Sequence, residues 1–228
     1  VETAFIPPDP DQEELFRAER SRLVDSKDSF RLACYKFSKR TIDVGVSALL
    51  LIALAPSLLL IAAIIRLSSK GPVIYAQERL TEGGRVFRML KFRSMRQDAE
   101  SATGPVWAQE EDPRVTAFGK ILRLSHLDEL PQLINVLRGD MSLIGPRPER
   151  PELAVELQQQ LPAFPARLAV KGGITGLAQN FFGYAADFSN YREKLSFDLD
   201  YIDNRSLLLD LSIALRTICV VLMGFGAR

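Results

Sequence analysis

Residues 44–65 read VGVSALLLIALAPSLLLIAAII, 22 positions without a charge. A helix of that length reaches across the hydrocarbon of a bilayer, and a core helix of a globular domain is rarely so apolar on every side. Pro56 stands in the middle of the run. Proline lacks an amide hydrogen and collides with the preceding turn, so the helix is expected to bend or break there, leaving two arms too short to cross alone. Lys36, Lys39 and Arg40 precede the run, and Arg66 and Lys70 follow it. Cations favour the cytoplasmic side, and cations at both ends suit a helix–break–helix that enters and leaves by one face. A kinked spanning helix is the plainer alternative, and on these residues both readings stay open.

The rest of the composition narrows less. The chain carries 29 Lys and Arg against 28 Asp and Glu, with one His, a balance that singles out no partner and gives no reason to expect a nucleic acid. Cys34 and Cys219 lie far apart without metal-ligand or CxxC spacing, so free thiols in a reducing compartment are expected. Residues 1–35 form a polar N-terminal segment with Pro7, Pro8 and Pro10 and no signal-peptide pattern. The start at Val1 rather than Met suits a processed or trimmed chain, or part of a longer one. The organisation that follows is a membrane helix over 36–70 and a larger region over 71–228.

Along that region, VIYAQER (73–79) and RVFRMLKFRSM (85–95) flank Gly83-Gly84 and predict a β-hairpin. Its cations Arg79, Arg85, Arg88, Lys91, Arg93 and Arg96 oppose only Glu78 and Glu82, which suits a solvated or headgroup-facing surface, or a phosphate site. Residues 97–113 read as a polar loop, and 115–124 as a short helix. Leu130, Leu133, Ile134 and Leu137 recur at helical spacing after Pro131, with Gly139 as the stop. SLIGPRPERPE reads as a proline-rich loop, 152–161 as an amphipathic helix, and KGGITGLAQ (171–179) as an irregular glycine-rich stretch. The C-terminal part is helical and apolar but carries Asp210 and Arg216, whose cost at mid-bilayer favours an interfacial amphipathic helix over a second span. The fold expected is mainly α with a small β-hairpin, as a monotopic membrane protein.

The chemistry-bearing residues lie in SHLDELPQLINVLRGDMSLIGPRP (125–148). Proline is favoured in the first turn of a helix, so Asp128 and Glu129 fall at the N-terminal lip of the helix after Pro131. On their own they are explained as charges that complement the helix dipole. As an ionised pair they could instead bind Mg²⁺ together with substrate phosphates, and an ionised aspartate could attack phosphorus. Arg147, between two prolines, is either a surface-turn residue paired with Glu149 or Glu152, or a held phosphate binder.

Taken in order, KRTIDVGVSALLLIALAPSLLLIAAIIRL, GPVIYAQERL, KFRSM, LDELPQLINVLRGDMSLIGPRP, GITGLAQ and DLDYIDNRSLLLDL closely resemble the bacterial sugar transferases, the monotopic polyprenyl-phosphate glycosyl-1-phosphate transferases. The resemblance runs from about Lys36 to the C-terminus, roughly five-sixths of the 228 residues. It implies a re-entrant membrane helix over 36–70 broken at Pro56, a catalytic sugar transferase domain over 71–228, and a catalytic pair at Asp128 and Glu129. The aspartate would attack the sugar-bearing phosphate of a UDP-sugar, release UMP and form a covalent sugar-phosphate that undecaprenyl phosphate then accepts. Glu129 resembles the Mg²⁺ ligand, beside Asp128, and Arg147 a phosphate binder. Arg123 is placed for a lipid headgroup or the prenyl phosphate, and Lys91 and Arg93 resemble basic active-site residues. Asp198, Tyr201, Asn204 and Asp210 match a C-terminal signature.

The resemblance also implies the cytoplasmic leaflet of the bacterial inner membrane, a role in exopolysaccharide or O-antigen initiation with UDP-glucose or UDP-galactose favoured, and leaves a homo-oligomer open. The chain departs from the familiar pattern at Ala55, at Gly172, where proline is usual and where a looser loop is expected, and at Leu177. A non-catalytic membrane scaffold and a one-step transferase are the competing readings.

Overall fold

The computed structural model describes residues 26–96, 113–181 and 188–222. The N-terminal stretch before Ser26, most of the 97–113 loop with Trp107, and the GFGAR end lie outside the described residues. The apolar run forms two helices, α1 (Ser26–Ala53) and α2 (Ala55–Ser68), bent by 64° at Leu54. Pro56 occupies the first turn of α2, where its missing N–H costs least. The backbone ladder holds on both sides of the break, with Leu54 N–H donating to the Leu50 carbonyl and Leu58 N–H to the Leu54 carbonyl, each at 2.9 Å. Among the described residues no single helix is long and apolar enough to cross a membrane; the bent pair is, taken together.

The side chains of α1 divide in an unusual sense. Lys39, Arg40, Asp43 and Ser47 recur at helical spacing, which puts them on one face. That face meets the rest of the protein: Lys39 pairs with Asp210 at 2.9 Å, and Arg40 donates to the Val136 and Leu137 carbonyls at 2.6 and 2.9 Å. Asp43 accepts the Leu143 N–H at 3.1 Å, and Ser47 is fully buried. Phe37, Leu49 and Ile52 are instead exposed, as are Leu59, Leu60 and Leu67 of α2. The helix therefore has its polar face inward and its apolar face outward, the reverse of a helix on a water-facing domain. On its inner side α2 packs Ile61 and Ile65 against Phe92 and Leu122.

Strands β1 (Ile74–Leu80) and β2 (Val86–Phe92) form the expected antiparallel hairpin, registered from Ile74 opposite Phe92 to Leu80 opposite Val86. Gly83 and Gly84, with φ of 72° and 75°, make the turn in a region that other residues seldom enter. Helices α3 (Ala117–Leu124) and α4 (Gln132–Arg138) follow, then α5 (Pro151–Gln160). Phe87 and Met89 of β2 pack on Val136 and Met141, which seats α4 against the hairpin.

Two stretches read as irregular are ordered. SLI forms β3 (Ser142–Ile144) and GIT forms β4 (Gly173–Thr175), paired in parallel, and Leu177–Phe181 is a short helix, α6. Three residues are too few for an alternation pattern to show, and the partner strand is remote in sequence. The C-terminal region splits at Asn204–Ser206 into α7 (Phe188–Asp203) and α8 (Leu207–Leu222). Tyr201, Ile202 and Ile213 pack on Ile144. The opposite side of α8 leaves Leu208, Leu211, Leu215 and Ile218 exposed.

Candidate active site

The acids are delivered by a short connection. After α3 the chain reverses at His126, which has a left-handed backbone (φ 55°), the one non-glycine residue with positive φ among those described. Such a conformation is uncommon outside glycine and is retained where the surroundings impose it. A single helical turn, Leu127–Glu129, then runs into α4 through Pro131. The acids thus precede α4, as the position of the proline predicts. The helix itself is fixed at its C-terminal end and along its side: Arg40 caps its last carbonyls, and the fully buried Asn135 meets the backbone of β2. Asn135 Nδ2 donates to the Arg88 carbonyl at 2.8 Å, and its Oδ1 accepts the Leu90 N–H at 2.9 Å. That clamp sets the register between the acid turn and the strand.

The strand supplies the first cation. A period of two puts Phe87, Met89 and Lys91 on the face turned to α4. Lys91 Nζ reaches Glu129 Oε1 at 2.8 Å. The second cation comes from the GPRP loop: Arg147 donates to Glu129 Oε1 at 2.6 Å and Oε2 at 3.3 Å. Arg147 therefore pairs with a residue 18 positions upstream, not with Glu149 or Glu152 as a simple surface turn would have it.

The loop is held by its backbone. Arg167 donates to the Arg147 carbonyl and Arg79 to the Pro148 carbonyl, both at 3.0 Å, and Leu80 N–H donates to the Glu149 carbonyl at 2.8 Å. The loop also rests on Gly172, where a Cβ would lie 2.4 Å from Pro148 Cγ. The glycine that replaces a familiar proline permits tight packing here rather than loosening the segment.

The two carboxylates differ sharply. Burial works against the charge on Glu129, but Arg147 and Lys91 outweigh it and hold its carboxyl well below the usual range. Asp128 is 8% exposed and receives no hydrogen bond or ion pair among the described residues. Burial raises its pKa, Glu129 adds to the effect, and Lys91, Arg123 and Arg147 oppose it. One acid is ionised and locked; its neighbour is unpaired and surrounded by cations at a distance.

The bacterial sugar transferase family model matches residues 34–224. The chain belongs to that family. Among its curated relatives, the UDP-N-acetylgalactosamine-undecaprenyl-phosphate N-acetylgalactosaminephosphotransferase of Aeromonas hydrophila is 45% identical over 194 residues, covering 85% of this chain and 46% of that protein. The UDP-glucose:undecaprenyl-phosphate glucose-1-phosphate transferase of Caulobacter vibrioides is 44% identical, covering 79% of this chain and 68% of that protein. The exopolysaccharide production protein ExoY of Sinorhizobium fredii is 38% identical, over 83% of this chain and 88% of that protein. The chain thus spans about half the length of the Aeromonas relative and more of the shorter ones.

The other residues singled out in this sugar transferase sequence fall into separate places. Arg123 lies close enough to act on Asp128 and is held by its Nε donating to Ser94 Oγ at 3.0 Å. Arg93 is buried and turned the other way, donating to the Ser69 and Lys70 carbonyls at 2.9 Å. Asp198 pairs with Arg167 at 2.6 Å, one step behind the Arg147 backbone. Tyr201 donates to Asp210 Oδ1 at 2.9 Å and stands near the Ile144 carbonyl. Asn204 donates to the Asp200 carbonyl at the end of α7. Pro56 is remote from the acids in sequence and serves the bend. Asn135 and Arg167 were not singled out by sequence, and Arg40 and Arg79 were named there only as cations flanking the apolar run and in the hairpin. A lone Asn between Ile134 and Val136 on a buried helix was the available sign for the first.

Proposed function

We propose that the chain transfers a sugar 1-phosphate from a UDP-sugar to undecaprenyl phosphate, as the first membrane step in making a bacterial surface polysaccharide. The observation that carries this reading is the unlike pair: Glu129 held ionised by Lys91 and Arg147, beside an Asp128 without a hydrogen-bond partner among the described residues. A carboxylate that already accepts strong hydrogen bonds is a poor nucleophile, because attack must break them; Asp128 has none to break.

Asp128 attacks the phosphorus that carries the sugar. The bond from that phosphorus to the oxygen bridging to the nucleotide phosphate breaks, and UMP leaves with the electron pair. The sugar phosphate remains as a mixed anhydride on the aspartate. An oxygen of the prenyl phosphate then attacks the same phosphorus, the aspartyl bond breaks, and Asp128 is regenerated as the carboxylate. Lys91, Arg123 and Arg147 give the site an excess of positive charge over its two acids, which favours a bound diphosphate and the charge that develops in transfer.

Two adjacent carboxylates suit Mg²⁺, which is commonly held by one or two acids together with substrate phosphates and water. Both Asp128 oxygens lack protein donors among the described residues, and Glu129 Oε2 has only the longer 3.3 Å contact, so Asp128 and Glu129 would hold it. There the ion would neutralise phosphate charge. The names of the relatives favour undecaprenyl phosphate as acceptor, and those names include both glucose and N-acetylgalactosamine donors.

The outward apolar faces of α1, α2 and α8 support a monotopic arrangement, with the bent pair re-entering the cytoplasmic leaflet of the inner membrane and α8 lying in the interface. The test is UMP release and radiolabel retention with UDP-glucose, UDP-galactose and UDP-N-acetylgalactosamine, each with undecaprenyl phosphate and Mg²⁺. Asp128→Asn is expected to abolish both UMP release and the labelled protein adduct. Turnover by that variant at the wild-type rate would remove the nucleophile assignment, and release of UDP would overturn the reaction class. Tags at both ends test the topology separately: a periplasmic N-terminal end would refute re-entry.

A further inference from the structure

A cavity of about 500 Å³ lies where the end of α2, the segment after β2 and the start of α3 meet. Its lining includes Ser69, Lys70, Arg96, Thr116 and Ala117, with no acidic residue among the described residues. The walls are braced from behind. The buried guanidinium of Arg93 holds the Ser69 and Lys70 carbonyls and also donates to Ser69 Oγ at 2.8 Å. Because that hydroxyl oxygen accepts, its proton remains available to donate. Opposite, Met95 pairs with Val115, Arg96 N–H donates to the Arg114 carbonyl and Thr116 N–H to the Ser94 carbonyl, each at 3.0 Å. Thr116 caps α3 through Gly119, and the N–H groups of Ala117 and Phe118 have no intrahelical acceptor.

Lys70 and Arg96 are exposed, and neither makes an ion pair among the described residues. Neither is among the cations that act on Asp128 or Glu129. Two cations, a donor hydroxyl and a helix amino end converging on one cavity are the chemistry of a bound phosphate.

We propose that this cavity binds a phosphate group separate from the reacting phosphates, supplied by an anionic lipid headgroup. The source follows from position: Ser69 and Lys70 come directly after α2, whose Leu67 is 87% exposed. If α2 is the second arm of a re-entrant anchor, as proposed above, the cavity opens at headgroup depth, where the chain leaves the hydrocarbon. The bound headgroup would fix how deep the anchor sits, and the Arg93–Ser94 segment joins that depth to Arg123.

The test uses the full chain in a neutral detergent, titrated with dihexanoyl phosphatidylglycerol, dihexanoyl phosphatidylcholine and inorganic phosphate. Lys70→Gln with Arg96→Gln is expected to weaken phosphatidylglycerol binding by about a hundredfold, since each of the two lost charge-assisted contacts is worth about tenfold. A control with the same charge loss on exposed residues outside the cavity, Lys120→Gln with Arg138→Gln, is expected to bind like wild type. Wild-type affinity in the first variant, or an equal loss in the control, overturns the proposal. Inorganic phosphate bound as tightly as phosphatidylglycerol, and lost in the first variant, supports the phosphate site with a soluble source. Flotation with phosphatidylcholine vesicles reads the anchor independently. A chain that does not float yet binds phosphatidylglycerol through Lys70 and Arg96 supports the cavity while removing the re-entrant reading.

Discussion

Replacing Asp210 tests how the bent helix pair is fastened to the rest of the protein. Asp210 lies in the otherwise apolar α8 and is 7% exposed. Its Oδ2 accepts from Lys39 Nζ at 2.9 Å and from Tyr35 OH at 3.0 Å, and its Oδ1 accepts from Tyr201 OH at 2.9 Å. One carboxylate therefore joins α1, α7 and α8. Asp210→Ala leaves a largely buried ammonium and two phenols without their acceptor. Removing one partner of a buried pair typically costs about 3–5 kcal/mol. The lower end applies, because the Lys39 side chain keeps 16% of its exposure and Tyr201 can turn to the Ile144 carbonyl at 3.2 Å. At about 2–4 °C per kcal/mol for a chain of this size, the apparent melting temperature in detergent should fall by about 6–12 °C. Lys39→Met combined with Asp210→Leu removes both charges and should recover much of that loss, since buried pairs are replaceable by apolar groups. A single variant melting within about 2 °C of wild type, or a double variant no better than the single, would refute the reasoning.

Three further outcomes follow from the site. Lys91→Met removes the cation that most lowers the pKa of Asp128, so ionisation of Asp128 becomes harder and the acid limb of UMP release moves to higher pH; an unmoved limb counts against Asp128 as the ionised nucleophile. Burial opposes the charge on Glu149, but Lys194, Arg167 and Arg79 outweigh it and bring its pKa from 4.5 down to about 2. That lowered value contributes stability on the order of 3 kcal/mol, present above pH 4.5 and lost as pH falls toward 2, so Glu149→Gln should flatten the acid side of a stability profile. Gly172→Ala drives a methyl into Pro148, whose carbonyl Arg79 holds, and should destabilise by about 1–3 kcal/mol rather than gain the about 0.4–1 kcal/mol of a tolerated Gly-to-Ala change; a raised melting temperature would show that the loop has room.

What the sequence made legible follows the range of the interaction. The broken apolar run, the hairpin at Gly83-Gly84 and α3 to α5 are local patterns, and each was readable from neighbours a few residues apart. The strands β3 and β4 were not, because each is three residues long and its partner lies about thirty residues away. The acid pair was legible as a candidate, but the difference between its members was not: it depends on Lys91 and Arg147, which arrive from 38 and 18 residues away. Nor could the residue pattern assign Arg93 and Lys91 opposite duties. They are two apart, yet Lys91 turns to Glu129 while Arg93, just past the end of β2, turns to the exit of α2.

That division explains how one short strand could serve the proposed reaction between a soluble donor and a lipid. Lys91 reaches the acid turn, Phe92 packs on α2, Arg93 grips the residues where α2 ends, and Ser94 receives Arg123. Four consecutive residues thus connect the locked carboxylate to the apolar arm. If α2 sets the depth of the protein in the leaflet, the depth of Asp128 is set with it, through contacts too short and too buried to let one move far without the other. A lipid phosphate has little freedom normal to the membrane, so in the proposed mechanism the aspartyl sugar-phosphate that it attacks must sit at a fixed height. Proximity of that kind is where much of the acceleration in a two-substrate reaction arises. If the reaction runs in the two proposed steps, cutting the link at Arg93, with Lys91 and the acids intact, should therefore slow decay of the labelled adduct on adding prenyl phosphate more than it slows release of UMP.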